Sequence, residues 1–299
     1  MILIRLMGGL GNQMFQYAFG KRMALINNTK LVLDQSLLLD KSLPHEIATH
    51  RDFELDIFNL KNYRWATTEE IFSYNGDVNA SFVKKAIRKI KNTISPKKVI
   101  IQNGNEFNPD FLKTKSDVCF VGRWQSEIYF NDVSEEIKKE FTFVKIFSAE
   151  IENYKTIIQE NNAVCLHIRR GDLITSPIYS NTIGVLSWDY YEKAMAHIKE
   201  RVVDPVFFIF SDDIEWCKQN IILSEQTYYL DDSTADIKAQ GHLYLMQQCK
   251  HFIISNSTFA WWGAWLSTNK DKIVIAPKKW FADSSLNSDD IIPKQWIKF

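Results

Sequence analysis

The 299-residue chain lacks several things that would have classified it at once. It has no excess of charge: 36 Lys and Arg stand against 36 Asp and Glu, so no whole-chain field draws it to nucleic acid or to anionic membrane. It has only four cysteines, Cys119, Cys165, Cys217 and Cys249, far apart and never in a C-x-x-C or Cys/His cluster. That argues against a zinc site and a disulfide framework, and the four read as buried free thiols. No apolar run approaches the roughly 20 residues of a membrane helix, and the opening run from Met1 meets Gly8 too soon for a secretory signal. The expected location is therefore cytoplasmic. No D-x-D occurs, so a metal-clamped diphosphate is not advertised. With 11 glycines, 45% hydrophobic and 24% charged residues, the chain is neither collagenous nor low in complexity.

What is present is an alternation of buried strands and helices. Met1–Leu6 is a short apolar run, Gly8–Gly11 breaks it, and Phe15, Ala18, Phe19, Met23 and Ile26 recur at helical spacing before a second strand, Lys30–Leu33. A strand, glycine turn, helix, strand unit implies parallel pairing. Residues 40–117 are less regular, with His45, His50, Arg51 and Asp52 in a polar stretch and a helix expected over Ser81–Asn92. That helix carries Lys84, Lys85, Arg88 and Lys89, which read either as a solvated face or as a patch docking weakly on an anionic membrane surface. After a helical stretch over Val133–Asn161, strands are expected at Ala163–Ile168, Val206–Phe210, Thr227–Leu230, Phe252–Ile254 and Lys272–Ala276. Helices are expected at Trp188–Lys199, Ile214–Asn220, Gly241–Cys249 and Phe259–Ser267. The fold class is thus α/β, with two Rossmann-like doubly wound domains, 1–155 and 156–299, facing a cleft.

Ligands of such sheets bind beyond the carboxyl ends of the strands. In the second half those ends lead into Arg169, Arg170, Gly171 and Asp172, then Ser211, Asp212 and Asp213, then Asp231 and Asp232, then Ser255, Asn256, Ser257 and Thr258. Arg169 and Arg170 offer forks that match phosphate oxygens, or else pair with Asp172 and Asp213. The Ser255–Thr258 loop opens a helix, where free N–H groups hold an anion, or where Ser257 or Thr258 serves as a plain cap. His167 is either a core histidine or a donor to nucleotide or phosphate. Trp124 and Gln125 follow the strand Val118–Val121 and either stack on and hydrogen-bond a sugar or belong to the core. In the first half, Gly9 and Gly11 begin a dinucleotide fingerprint whose sixth position is Met14, and Asp34 sits about where a ribose-binding acid would. A nicotinamide-dependent oxidoreductase is therefore one alternative, and a glycan-binding protein without catalysis another.

Taken together, Gly8–Ala18 (GGLGNQMFQYA), His167–Asp172 (HIRRGD), Ser211–Asp213 (SDD) and Cys249–Trp265 (CKHFIISNSTFAWWGAW), with Trp124–Glu127 (WQSE) and Tyr129–Phe130, resemble the bacterial α-1,2-fucosyltransferases of glycosyltransferase family 11. The resemblance implies a GT-B-type arrangement with an acceptor-side first domain and a donor-side second. It implies inverting transfer of L-fucose from GDP-fucose to the 2-hydroxyl of a galactoside-terminated glycan, free or lipid-linked, with no cofactor and no metal. It makes Arg169 or Arg170 the holder of the β-phosphate, with Gly9, Gly11, Gln13, His167, Asp212, Asp213 and Ser255–Thr258 around the nucleotide and Asn12 over the diphosphate. Arg169, Asn12 and Asp172 are the catalytic candidates, Asp172 more as organiser of the arginine loop than as base. Asp172, Asp213 and Glu127 stay open as the general base. The chain departs from the family pattern at His242, where an aspartate is usual and Asp236 is the nearby acid, and at Leu173, Arg123 and Ala260.

Overall fold

The computed structural model describes residues 1–40, 51–75, 98–231 and 239–299. The basic patch of Lys84, Lys85, Arg88 and Lys89, the helix expected over 81–92, and His45, His50, Asp232 and Asp236 lie outside them. The chain divides into two compact units, Met1–Thr142 and Phe143–Phe299. The division thus falls ahead of the boundary expected after residue 155. The reason is aromatic: Phe147 stacks on Tyr244 at 4.3 Å between ring centroids, Phe143 meets the same ring edge-on, and the Tyr244 hydroxyl donates to Glu152 at 2.8 Å. These contacts tie the helix Ala149–Glu160 to the helix Ala239–Met246.

In the first unit, β1 (Ile2–Arg5), β2 (Leu31–Asp34), β3 (Tyr63–Trp65), β4 (Lys98–Ile101) and β5 (Val118–Val121) form one sheet in the order β3-β2-β1-β5-β4. Every pairing is parallel. β1 and β2 are buried throughout, as their apolar runs predict, whereas β3 and β4 are half-exposed edge strands that carry no clear sequence pattern. The helix Leu10–Ile26 crosses the sheet so closely that a Cβ on Gly20 would lie 2.4 Å from Ile4 Cγ1. Its polar side is not solvated as amphipathic spacing suggests: Lys21 pairs with buried Glu140 at 2.5 Å, and the Tyr17 hydroxyl donates to the same carboxylate.

In the second unit, β6 (Asn162–Ile168), β7 (Pro205–Ser211), β8 (Thr227–Leu230), β9 (His251–Ile253), β10 (Val274–Ala276) and β11 (Ile297–Lys298) lie in the order β8-β7-β6-β9-β10-β11, all parallel. That is the strand order of a dinucleotide-binding sheet. The short β11 and the helices Gly171–Thr175 and Pro177–Thr182 are the elements that apolar periodicity did not announce. In both sheets the order reverses beside the first strand of the unit, between β1 and β5 and between β6 and β9. Parallel neighbours with a shared direction bring the loops that leave those two strands to the same edge, and this places the candidate site.

Candidate active site

The crossover of the second unit gathers three of the predicted loops. His167, at the end of β6, lies with Nδ1 2.8 Å from the Ser255 hydroxyl, which follows β9. Burial, reinforced by the Arg169 charge, pushes the His167 pKa down to about 3, so the ring is neutral at ordinary pH and offers a hydrogen bond rather than a charge. The Tyr190 hydroxyl lies 2.6 Å from the Ile254 carbonyl and 3.1 Å from that of Ile275, which fixes the strand ends just before Ser255.

Beyond β6, both arginines meet the acids that compete with phosphate for them. Arg169 Nη2 donates to Asp172 Oδ2 at 2.8 Å, with its Nε on the other oxygen. Arg170 Nε reaches Asp213 at a longer 3.4 Å, and its guanidinium lies 3.7 Å over the Trp216 ring. The Arg170 Nη groups make no hydrogen bond among the described residues. Asp212 is an organiser: it accepts the Arg170 N–H at 2.8 Å, and its Oδ2 lies 3.0 Å from where a Cβ on Gly171 would stand. Asp213 also caps the helix Ile214–Asn220 through Trp216 N.

In the next loop, Ser257 caps the helix Thr258–Leu266, its hydroxyl accepting from Ala260 N at 3.5 Å. Asn256, read from sequence as a nucleotide contact, clamps the backbone with its amide nitrogen, which donates to the carbonyls of Ile183, Gly184 and Trp280 at 3.0–3.2 Å, while its Oδ1 is buried with no hydrogen-bond partner among the described residues. Thr258 is half-buried at the helix start, whose leading N–H groups have no intrahelical acceptor. His242 is buried, with its ring 5.6 Å from Phe210, and it lies close enough to His167 to add to the lowering of that residue's pKa.

The crossover of the first unit has a different chemistry. Gly8 adopts φ +75°, a left-handed turn that glycine allows, and its hydrogen faces Asn12, whose Nδ2 would lie 2.5 Å from a Cβ there. Gly9 precedes the helix as its cap and Gly11 is buried inside it. The end of that helix is filled by the protein itself: Leu10 N donates to Glu54 Oε2 at 2.7 Å. Burial raises the Glu54 pKa above the usual carboxylate value against the opposing pull of that N–H. Gln13, expected among the nucleotide contacts, is wholly buried and spends both ends of its amide on Gly8 O, Asp52 O and Glu54 N at 2.8–3.0 Å. Asp34 pairs with Arg5 at 2.8 Å and accepts from Ser36 N. A pyrophosphate on the helix end and a ribose on Asp34, which the nicotinamide alternative needs, would both displace internal partners.

Opposite the glycine turn, the chain leaving β5 places Gln125 Nε2 2.7 Å from Asn12 Oδ1. Trp124 belongs to the core rather than to a sugar platform: it is fully buried and stacked on Phe19 at 4.1 Å. Glu54 and Gln102, which supports the Trp124 turn, escaped the sequence reading. Both lie in the irregular stretch 40–117, where no periodicity marks a residue that reaches back to the sheet.

Parallel α/β sheets whose polar loops converge at the strand crossovers define a ligand-binding α/β protein. A family model, Glycosyl transferase family 11, matches residues 1–299. An Escherichia coli alpha-1,2-colitosyltransferase is 34% identical over 303 residues, covering 99% of this chain and 98% of that protein. The E. coli O-antigen biosynthesis glycosyltransferase WbnK is 35% identical over 305 residues, covering 98% of each. Human galactoside alpha-(1,2)-fucosyltransferase 1 is 27% identical over 166 residues, 52% of this chain and 43% of that protein. Among solved structures, a mutant Arabidopsis thaliana FUT1 in complex with GDP shares the fold with a TM-score of 0.52 at 10% identity, covering 98% of this chain and 74% of that one. The chain belongs to glycosyl transferase family 11.

Proposed function

We propose that the chain is an inverting transferase that moves L-fucose from GDP-fucose to the 2-hydroxyl of a terminal galactoside without a metal. The observation that carries this reading is the meeting of two loops at the crossover of the second sheet: the arginine loop that follows β6 and the loop that follows β9 into the helix Thr258–Leu266, joined by His167 and Ser255. As the bond to the donor sugar breaks, negative charge gathers on the departing diphosphate. Preorganised guanidinium groups stabilise that charge more in the transition state than in the ground state. Asp172 and Asp212 hold the arginine loop in place, and His167 with Ser255 supplies neutral hydrogen bonds beside it. Asp172 and Asp213 face arginines, and Asp172, Asp213 and Glu127 are the three carboxylates this reading offers for taking the acceptor proton. In the first unit Asn12 donates its amide N–H groups to a substrate oxygen. The relative named for O-antigen biosynthesis supports a glycan acceptor, and we take that acceptor to be lipid-linked and met at the cytoplasmic face of the membrane.

Two donors compete within this reading, because one relative at 34% identity is named for colitose. Colitose is the 3-deoxy counterpart of fucose, so the choice turns on a single hydroxyl. The test is a thermal-shift panel with GDP, GDP-fucose, UDP, ADP and NAD, with and without EDTA. Turnover of GDP-fucose and GDP-colitose over a galactoside panel follows. A ligand at about 100 times its Kd stabilises by about 2.7 kcal/mol. Selective, EDTA-insensitive stabilisation by GDP species with fucose transfer is expected, and no nucleotide-sugar turnover on any acceptor overturns the reading. Vesicle binding with Lys84, Lys85, Arg88 and Lys89 neutralised together tests the membrane contact.

A further inference from the structure

Gln125 is a costly residue where it stands. It is 5% exposed, its Nε2 donates to Asn12 Oδ1 at 2.7 Å, and its Oε1 is buried with no hydrogen-bond partner. An unmet acceptor in the interior costs stability that an apolar side chain of the same shape would not. The bond to Asn12 is therefore the one polar return on a buried amide.

The turn that carries Gln125 is costly as well. Trp124 has φ +55°, a left-handed conformation that a bulky side chain rarely adopts, and strain of this kind persists only where surrounding contacts impose it. Here they do. Gln102 Oε1 accepts from both Arg123 N and Trp124 N at 2.9 Å, and the Trp124 ring is locked against Phe19, Phe111, Phe120 and Tyr129. The result is to bring the Gln125 side chain back over the neighbouring strand end, onto Asn12.

The geometry points to Gln125 as a positioning residue that acts through Asn12, with Gln102 holding the strained turn that delivers it. Gln125 occupies the Asn12 carbonyl oxygen. The Asn12 amide then keeps its nitrogen over Gly8, where Asn12 is half-buried and faces the glycine turn. Without Gln125 the amide is free to rotate and presents oxygen or nitrogen indifferently. With Gln125 donating to the oxygen, the Asn12 nitrogen is the end left to meet a substrate oxygen. The inference rests on the transferase reading and on Asn12 as its donor, and it adds the device that orients that donor.

The experiment compares wild type with Gln125→Met, Asn12→Ala, the double variant, Gln102→Met and Gln102→Glu, each in the full chain. GDP-fucose and GDP-colitose serve as donors and a β-galactoside as acceptor, with kcat, KM and the thermal midpoint all read. Gln125→Met is expected to melt no lower than wild type while its kcat falls about tenfold, with the GDP-induced thermal shift unchanged. In the Asn12→Ala background the same change should cost less than about twofold, because the residue it positions is gone. Gln102→Met should reproduce the loss in kcat, and Gln102→Glu should restore most of it, since a carboxylate oxygen accepts the same two N–H groups. An active wild type with unaltered kcat in Gln125→Met overturns the inference, as does a full tenfold loss that persists in the Asn12→Ala background. An inactive wild type would instead overturn the underlying transferase reading.

Discussion

The two crossover points are built on one plan and furnished for opposite tasks. In each unit a polar contact joins the loop of the central strand to the loop of the neighbour across the crossover, His167 to Ser255 in the second and Gln125 to Asn12 in the first. Around His167 stand the Arg169 guanidinium and a helix start capped by a neutral serine, with Arg170 next along the loop. Around Asn12 the helix end is already filled by the Glu54 carboxylate, with the Arg51 guanidinium against Gly9 and neutral amides beside them. Among the described residues, the same topology thus leaves a helix end without an internal anion in one unit and fills it with the chain's own carboxylate in the other. What separates them is which charge the chain itself returns to the helix end.

The comparison breaks most visibly at the arginines. Arg169→Ala should lower kcat by about tenfold to a thousandfold, as removal of a preorganised charge stabiliser does, whereas Arg169→Lys should recover only part because the fork is lost. Steady-state kinetics with saturating donor checks this, and wild-type turnover in Arg169→Ala would dissolve the distinction between the two ends. Acid is the next lever. The unfolded chain takes a proton on His167 near pH 6.5 and the folded one only near 3, so proton uptake favours unfolding across that window. Stability should fall by up to about 1.4 kcal/mol per pH unit between those values, and His167→Gln should flatten that part of a denaturant-midpoint titration.

The smaller effects sharpen the contrast. Glu54→Ala should destabilise by about 1–2 kcal/mol, the scale of losing a cap from a long helix. It should also give the first helix end some affinity for phosphate, read as a new thermal shift with inorganic phosphate. Ser257→Ala should cost about 1 kcal/mol and leave the GDP-induced shift in place, because the cap and the anion use different N–H groups.

Much of this organisation was legible in advance. The buried strands β1, β2, β5, β6 and β7 are continuous apolar runs, and the polar loops that leave them stood out against those runs. Edge strands such as β3 and β4 were not legible, since a half-exposed strand needs no continuous apolar face. Nor were the partners of the loop residues. Gln13 and Asn256 sit in the right loops, yet their amide nitrogens are spent on backbone carbonyls, which spacing along the chain does not reveal. Trp124 reads equally as a sugar platform or a core residue until its ring is seen on Phe19.

Sequence by itself determined the α/β class, the family and the loops in which the chemistry lies, because burial and strand period are local properties of the chain. Only the tertiary structure decided which polar groups remain for a ligand. A hydrogen bond between Glu54 and Leu10, or between Gln102 and the turn at Trp124, joins residues more than twenty positions apart in the chain. Whether an amide or a carboxylate is free to meet substrate depends on those partners, and they become neighbours only when the sheet has formed.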